Sequence, residues 1–145
     1  MTVQPIPEGY HTVTPYLIVS GVPQLIDFLK QAFGAEEMVR MAQSDGAIGH
    51  AEVKIGASRV MMGEAGGEFK PMPTMLHLYV EDTDAVYQRA LQAGATSLME
   101  PTDQFYGDRM SAVQDAFGNQ WWIATHIEDV SHEEIAKRAA QQQTQ

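Results

Sequence analysis

The feature that most constrains this chain is an internal repeat. Leu17, Ile18 and Val19 lead into a helical stretch that stops at Gly34-Ala35, and Leu78, Tyr79 and Val80 lead into another that stops at Gly94-Ala95, with spacings that differ by one residue. In the first stretch Val22, Leu25, Ile26, Leu29, Ala32 and Phe33 recur at helical spacing, after Ser20-Gly21 and around Pro23 near the start. One helix face can therefore pack on a sheet. In the second, Asp82 or Thr83 can cap, Ala85, Val86, Ala90 and Ala93 form a weaker apolar stripe, and Gly94 offers a left-handed stop.

After each helix the periodicity changes towards strands. Residues 36–43, 50–55 and 58–63 are separated by Ser44-Asp45-Gly46 and Gly56-Ala57; residues 97–104, 109–114 and 120–125 are separated by Tyr106-Gly107-Asp108 and Ala116-Phe117-Gly118-Asn119. The order is βαβββ twice, an α+β arrangement expected to form a single domain over residues 1–145: repeat one at about 12–64, a Gly- and Pro-rich linker at 65–74, and repeat two at about 75–125. Ser131 and Glu134 have capping-box spacing and predict a tail helix over about 131–141.

The formal charge of -10 argues against sequence-independent nucleic-acid binding, which needs a basic surface, and favours neutral or cationic ligands. With no Cys, disulfides, thiolate nucleophiles and thiolate-bound zinc are excluded, and the composition suits a reducing compartment. The N-terminal residues do not resemble a secretory signal, and no apolar run approaches the roughly 20 residues needed to cross a bilayer. The expectation is a cytoplasmic protein without membrane partners.

Three passages extend the pattern: Thr14-Pro15-Tyr16-Leu17, Ile48-Gly49-His50-Ala51-Glu52-Val53, and Gly107-Asp108-Arg109 followed by Asp115-Ala116-Phe117-Gly118-Asn119. With them the chain resembles the vicinal oxygen chelate superfamily of glyoxalase I, bleomycin-resistance proteins and extradiol dioxygenases. The stretch Ala124-Thr125-His126-Ile127-Glu128-Asp129-Val130-Ser131 is similar to a tail in its uncharacterised, phosphonate-operon-protein-like branch. Ala116 stands where the turn of that family usually has Pro. The resemblance implies two βαβββ half-barrels around one cavity, commonly in a homodimer.

In metal-dependent members, ligands come from the first and last strands of each half. The corresponding positions here are Thr14, Met61 (within a residue or two), Met75 and Trp122. Thioethers suit hard divalent ions poorly and an indole offers no lone pair, so no cofactor is expected and a divalent metal has low standing. Met61, Met75 and Trp122 would make an apolar, polarizable pocket of bleomycin-resistance type, to which Thr14, Tyr16, His77 and Arg109 could add polar contacts. Met and Trp on strand faces are also ordinary core residues.

The leading expectation is thus a metal-independent small-molecule binder. Glu64 and His77 are the weak candidates for a displaced metal or acid/base site in a lyase or isomerase. A dimeric scaffold with a self-filled cavity is the third reading. His50, Glu52 and Lys54 alternate along one strand face and read as a polar, cross-strand-paired face, while His11 and His126 lie near element ends. No Ser/His/Asp spacing, Walker-type loop or Rossmann fingerprint is present.

Overall fold

The computed structural model describes residues 2–143. Among them the elements run β1 (Tyr16–Val19), α1 (Val22–Phe33), β2 (Glu36–Ala42), β3 (Ile48–Ile55), β4 (Ser58–Glu64), β5 (Met75–Tyr79), α2 (Thr83–Gln92), β6 (Thr96–Asp103), β7 (Asp108–Gln114), β8 (Gln120–His126) and α3 (His132–Gln143). This is the expected α+β fold of two βαβββ modules. The chain forms two compact units, one comprising Met1–Thr74 with Ala116–Gly118, the other Met75–Asp115 with Asn119–Gln145.

Each unit carries one four-stranded sheet, ordered β1-β4-β3-β2 in the first and β5-β8-β7-β6 in the second. In both, the first and last strands of the module pair in parallel and the other ladders are antiparallel. Burial alternates along β1 and β5 as the pleat requires, whereas the inner strands β3 and β7 hold consecutive buried residues, Ala51 to Val53 and Met110 to Val113. Leu17 and Val19 are buried on the α1 side of β1, leaving Tyr16 and Ile18 on the face without a helix. In the second unit Trp121 and Ile123 are buried on the α2 side, while Gln120 and Trp122 point the other way.

Helix α1 buries Val22, Leu25, Ile26, Phe28, Leu29 and Ala32. It ends at Gly34, whose φ of 66° lets its N–H donate to the Lys30 carbonyl (3.1 Å) while Ala35 donates to Leu29 (3.2 Å). Helix α2 is capped by the Asp82 carboxylate, which accepts from the Ala85 N–H (3.2 Å). Its buried residues are Thr83, Val86, Tyr87 and Ala90, so Ala85 from the expected stripe lies outside the packed face. Polar side chains complete that face because they have partners: the Thr83 hydroxyl donates to the Ile123 carbonyl (2.7 Å), and Tyr87 donates to Ser97 (2.6 Å).

Residues 65–74 are not a plain linker. The Met72 N–H donates to the Ile18 carbonyl (3.0 Å), forming a short antiparallel bridge. β1 is an edge strand with unpaired backbone groups, and the returning chain satisfies one. Pro101 lies in β6, at the other sheet's edge, where its missing N–H costs no ladder bond to a further strand. Before β8 the buried Asp115 carboxylate accepts from the Asn119 N–H (2.9 Å), the Asn119 amide (3.2 Å) and the Trp121 indole (2.9 Å). The tail helix starts as expected, with Ser131 Oγ accepting from the Glu134 N–H (3.1 Å).

Candidate functional site

The face of each sheet opposite its helix carries chemically active side chains. In the first unit, Tyr16 lies opposite Met61 and Met61 opposite Glu52, while His50 sits two residues before Glu52 on the same face. The Tyr16 hydroxyl is 3.0 Å from His50 Nδ1, and His50 Nε2 is 2.8 Å from Glu52 Oε2. The other Glu52 oxygen accepts from the Tyr10 hydroxyl, and the Arg59 guanidinium lies 5.0 Å over the Tyr10 ring. Glu52 is only 8% exposed, yet both of its oxygens have a partner.

Gly63 makes this chain of contacts possible. It lies on β4 between Tyr16 and His50, and a Cβ there would come within 2.9 Å of the Tyr16 hydroxyl and 3.0 Å of the Gly49 carbonyl. The bare backbone leaves the path for the phenol to cross β4 and reach the imidazole.

In the second unit the corresponding face carries Met75, His77 and Tyr79 on β5, opposite Gln120, Trp122 and Ala124 on β8. The His77 and Tyr79 rings are 5.0 Å apart. Asp108, 4% exposed, accepts from the Tyr79 hydroxyl (2.8 Å) and pairs with His126 Nδ1 (2.9 Å), whose Nε2 meets Asp129 (2.7 Å). The hydrogen bond to Asp108 holds the Tyr79 proton and raises its pKa, with burial and the Asp108 charge adding to the effect. Hydrogen bonds to Asp108 and then Asp129 raise that of His126. Tyr106 is pushed up mainly by burial and secondly by Asp108.

The residues singled out in sequence fall into distinct places. Thr14 precedes β1 in irregular chain, half-buried. Tyr16 and Met61 share the helix-free face of the first unit; Met75, His77 and Trp122 share that of the second. Arg109 takes the opposite side. It alternates with the helix-free face on β7, donates to both oxygens of Asp84 on α2 (2.7 and 3.0 Å), and also donates to Asp103 (2.9 Å). Those carboxylates raise its pKa further, so the guanidinium is committed to the helix side of the sheet.

Glu64 ends β4 and accepts from the Gly21 N–H (2.9 Å) and the Val22 N–H (3.1 Å). It is the helix cap that Gly21, without a side chain, does not supply. Its partner in the acid/base expectation, His77, belongs to the other unit. The sequence reading took His50 and Glu52, with Lys54, as a polar cross-strand-paired face and did not single out Tyr10, whose hydroxyl completes the Glu52 contacts. Their signal was the two-residue spacing of His50 and Glu52 together with a glycine at 63.

The positions corresponding to the metal-dependent members' ligands do not fit a hard divalent ion. Met61 and Met75 offer thioethers, and the Trp122 indole donates its hydrogen to Gln120 Oε1 (3.0 Å). Among the described residues no three His, Asp or Glu side chains gather as a metal-holding group.

The comparisons agree with this architecture. Residues 10–123 match the family model described as the Glyoxalase/Bleomycin resistance protein/Dioxygenase superfamily. The chain belongs to that superfamily. It is 36% identical over 134 residues to an uncharacterized protein of Mycobacterium bovis, covering 85% of this chain and 88% of the relative. A Mycobacterium tuberculosis H37Rv protein, also uncharacterized, matches at 36% over 134 residues, with 85% and 79% covered. Among solved structures, TioX from Micromonospora sp. ML1 superposes with a TM-score of 0.70 at 24% identity, over 81% of this chain and 99% of that one. A putative 3-demethylubiquinone-9 3-methyltransferase, PhnB protein, from Bacillus cereus superposes with a TM-score of 0.65 at 16% identity, over 79% and 99%. At these identities the structural likenesses establish the fold.

Proposed function

We propose that the protein is a metal-independent small-molecule binder, working as a cytoplasmic homodimer, that receives a neutral or cationic ligand on its helix-free sheet faces. The observation that carries this reading is the set of large side chains left uncovered there: Met75 is 60% exposed and Tyr79 65%, beside Trp122 and His77 on the same sheet face. Thioether, phenol and indole surfaces adapt to aromatic or cationic guests. The net charge of -10 opposes an anionic ligand. A second subunit would cover part of the same exposed apolar surface. The lyase or isomerase reading around Glu64 and His77 has less support, because both Glu64 oxygens are engaged by α1.

The test combines elemental analysis of untagged protein with thermal unfolding in nickel, manganese, zinc and a chelator, and titration with the neutral dye Nile red. The expected outcome is no stoichiometric ion, no chelator effect, and saturable dye binding that Trp122→Ala weakens. One ion per subunit with chelator-sensitive stability would overturn metal independence, since a ligand of the folded state raises its apparent stability. Absence of saturable dye binding would overturn the binding reading.

A further inference from the structure

We propose that Tyr16, His50 and Glu52 form a nucleophile, base and orienter set on the helix-free face of the first unit, and that the Tyr16 hydroxyl takes acyl groups from neutral esters. The three side chains are joined in that order by contacts of 3.0 and 2.8 Å. A nucleophilic hydroxyl within reach of a base, with the base held by a third group, is the arrangement that activates a weak nucleophile. A carboxylate only accepts hydrogen bonds, so Glu52 selects the His50 tautomer with hydrogen on Nε2 and leaves the Nδ1 lone pair facing the Tyr16 hydroxyl.

Tyr10 holds the second oxygen of Glu52, which keeps the orienter in place. Glu52 also stabilises the imidazolium that forms when His50 takes the Tyr16 proton. Tyr79 is the internal contrast. Its hydroxyl donates to a carboxylate, Asp108, which holds the proton on the phenol, whereas the Tyr16 hydroxyl faces an imidazole nitrogen.

Tyr16 is 46% exposed, so a reactant can reach it. Met61 directly opposite and Ile18 two residues along β1 offer apolar contact to a carbon skeleton. The chain's negative charge selects against anionic substrates, and an uncharged ester meets no such repulsion. In the step, the Tyr16 oxygen bonds to the acyl carbon as its proton passes to His50 Nδ1. The ester C–O bond breaks, and the departing alkoxide or phenolate takes that proton, leaving acyl-tyrosine. Water then attacks the acyl carbon while giving a proton to His50, and the tyrosine oxygen leaves and recovers it. The sum is ester plus water to acid plus alcohol, with no other reactant.

The inference goes beyond ligand binding and needs only the local arrangement, so its failure leaves the binder reading standing. The full chain is mixed with 4-nitrophenyl acetate, nitrophenol release is followed by absorbance, and acetylated tyrosines are mapped by mass. The expected result is acetylation of Tyr16 at least about tenfold faster than that of the more exposed Tyr79, or turnover that Tyr16→Phe abolishes. His50→Gln slows either readout at least about tenfold. Glu52→Gln does the same and shifts the His50 hydrogen towards Nδ1 in 15N spectra, a change that a purely structural role would not produce. Because Glu52 is buried, the half-buried His50 provides the variant that leaves the sheet packed. Tyr16 acetylated no faster than Tyr79 and without turnover, or rates unchanged in His50→Gln, would overturn the proposal.

Discussion

Gly63 and Tyr16 are bound to each other by an absence: a methyl group on residue 63 would lie 2.9 Å from the Tyr16 hydroxyl, where no carbon fits, and 3.0 Å from the Gly49 carbonyl. Gly63→Ala therefore displaces the phenol from His50 and presses β4 against β3. The expected cost is about 1–3 kcal/mol of stability, the ordinary size of overpacking, because the Gly49 carbonyl belongs to the sheet backbone and cannot swing aside as the phenol can. Urea unfolding measures it, and the His50 ring resonances report loss of the Tyr16 contact. A variant of unchanged stability with Tyr16 still on Nδ1 would show that β4 has room to spare.

The second prediction concerns Glu64. Its carboxylate reaches from the end of β4 to the first two N–H groups at the α1 terminus, which Gly21 leaves without a side-chain acceptor. Glu64→Ala is expected to destabilise the fold by about 1–2 kcal/mol, the worth of a helix cap reinforced by the helix dipole. Equilibrium denaturation with near-ultraviolet dichroism checks this. A loss of only a few tenths of a kcal/mol would mean that water caps α1 equally well.

His126 makes the third, through pH. Its folded pKa is raised above the ordinary 6.5 by hydrogen bonds to Asp108 and Asp129. Folding therefore gains from the protonated form: the contribution is fully present below the unfolded pKa and is lost as pH rises through the raised folded value. The stability difference between the protein and His126→Gln is expected to be larger at about pH 6 than at about pH 9. Proton spectra of the ring give the folded value directly. An imidazole titrating at or below its value in the unfolded chain would contradict the pairing.

Much of the fold was legible because the determinants are local. Gly34 stops α1 where expected, Asp82 caps α2, and Ser131 opens α3, each through contacts spanning a few residues. The element order βαβββ came from the repeat, while the parallel pairings of β1 with β4 and of β5 with β8 came from the structure. The segment at 65–74 was less legible, since its bridge to β1 depends on an edge that exists only after the sheet forms.

The candidate sites divide along the same line. The sequence by itself determined which side chains share a strand face: His50 with Glu52, and Met75 with His77. It also determined that the positions expected to bind metal hold thioethers and an indole, because residue identity and a two-residue period need no tertiary information. Only the tertiary structure decided which partners those side chains meet. Glu64 became a helix cap, Arg109 was claimed by Asp84 and Asp103, and Tyr16 reached His50 across a glycine in the intervening strand. Those assignments join residues 6 to 43 positions apart, and such contacts depend on strand register and on the space a neighbour leaves open, neither of which is encoded in any short stretch of chain.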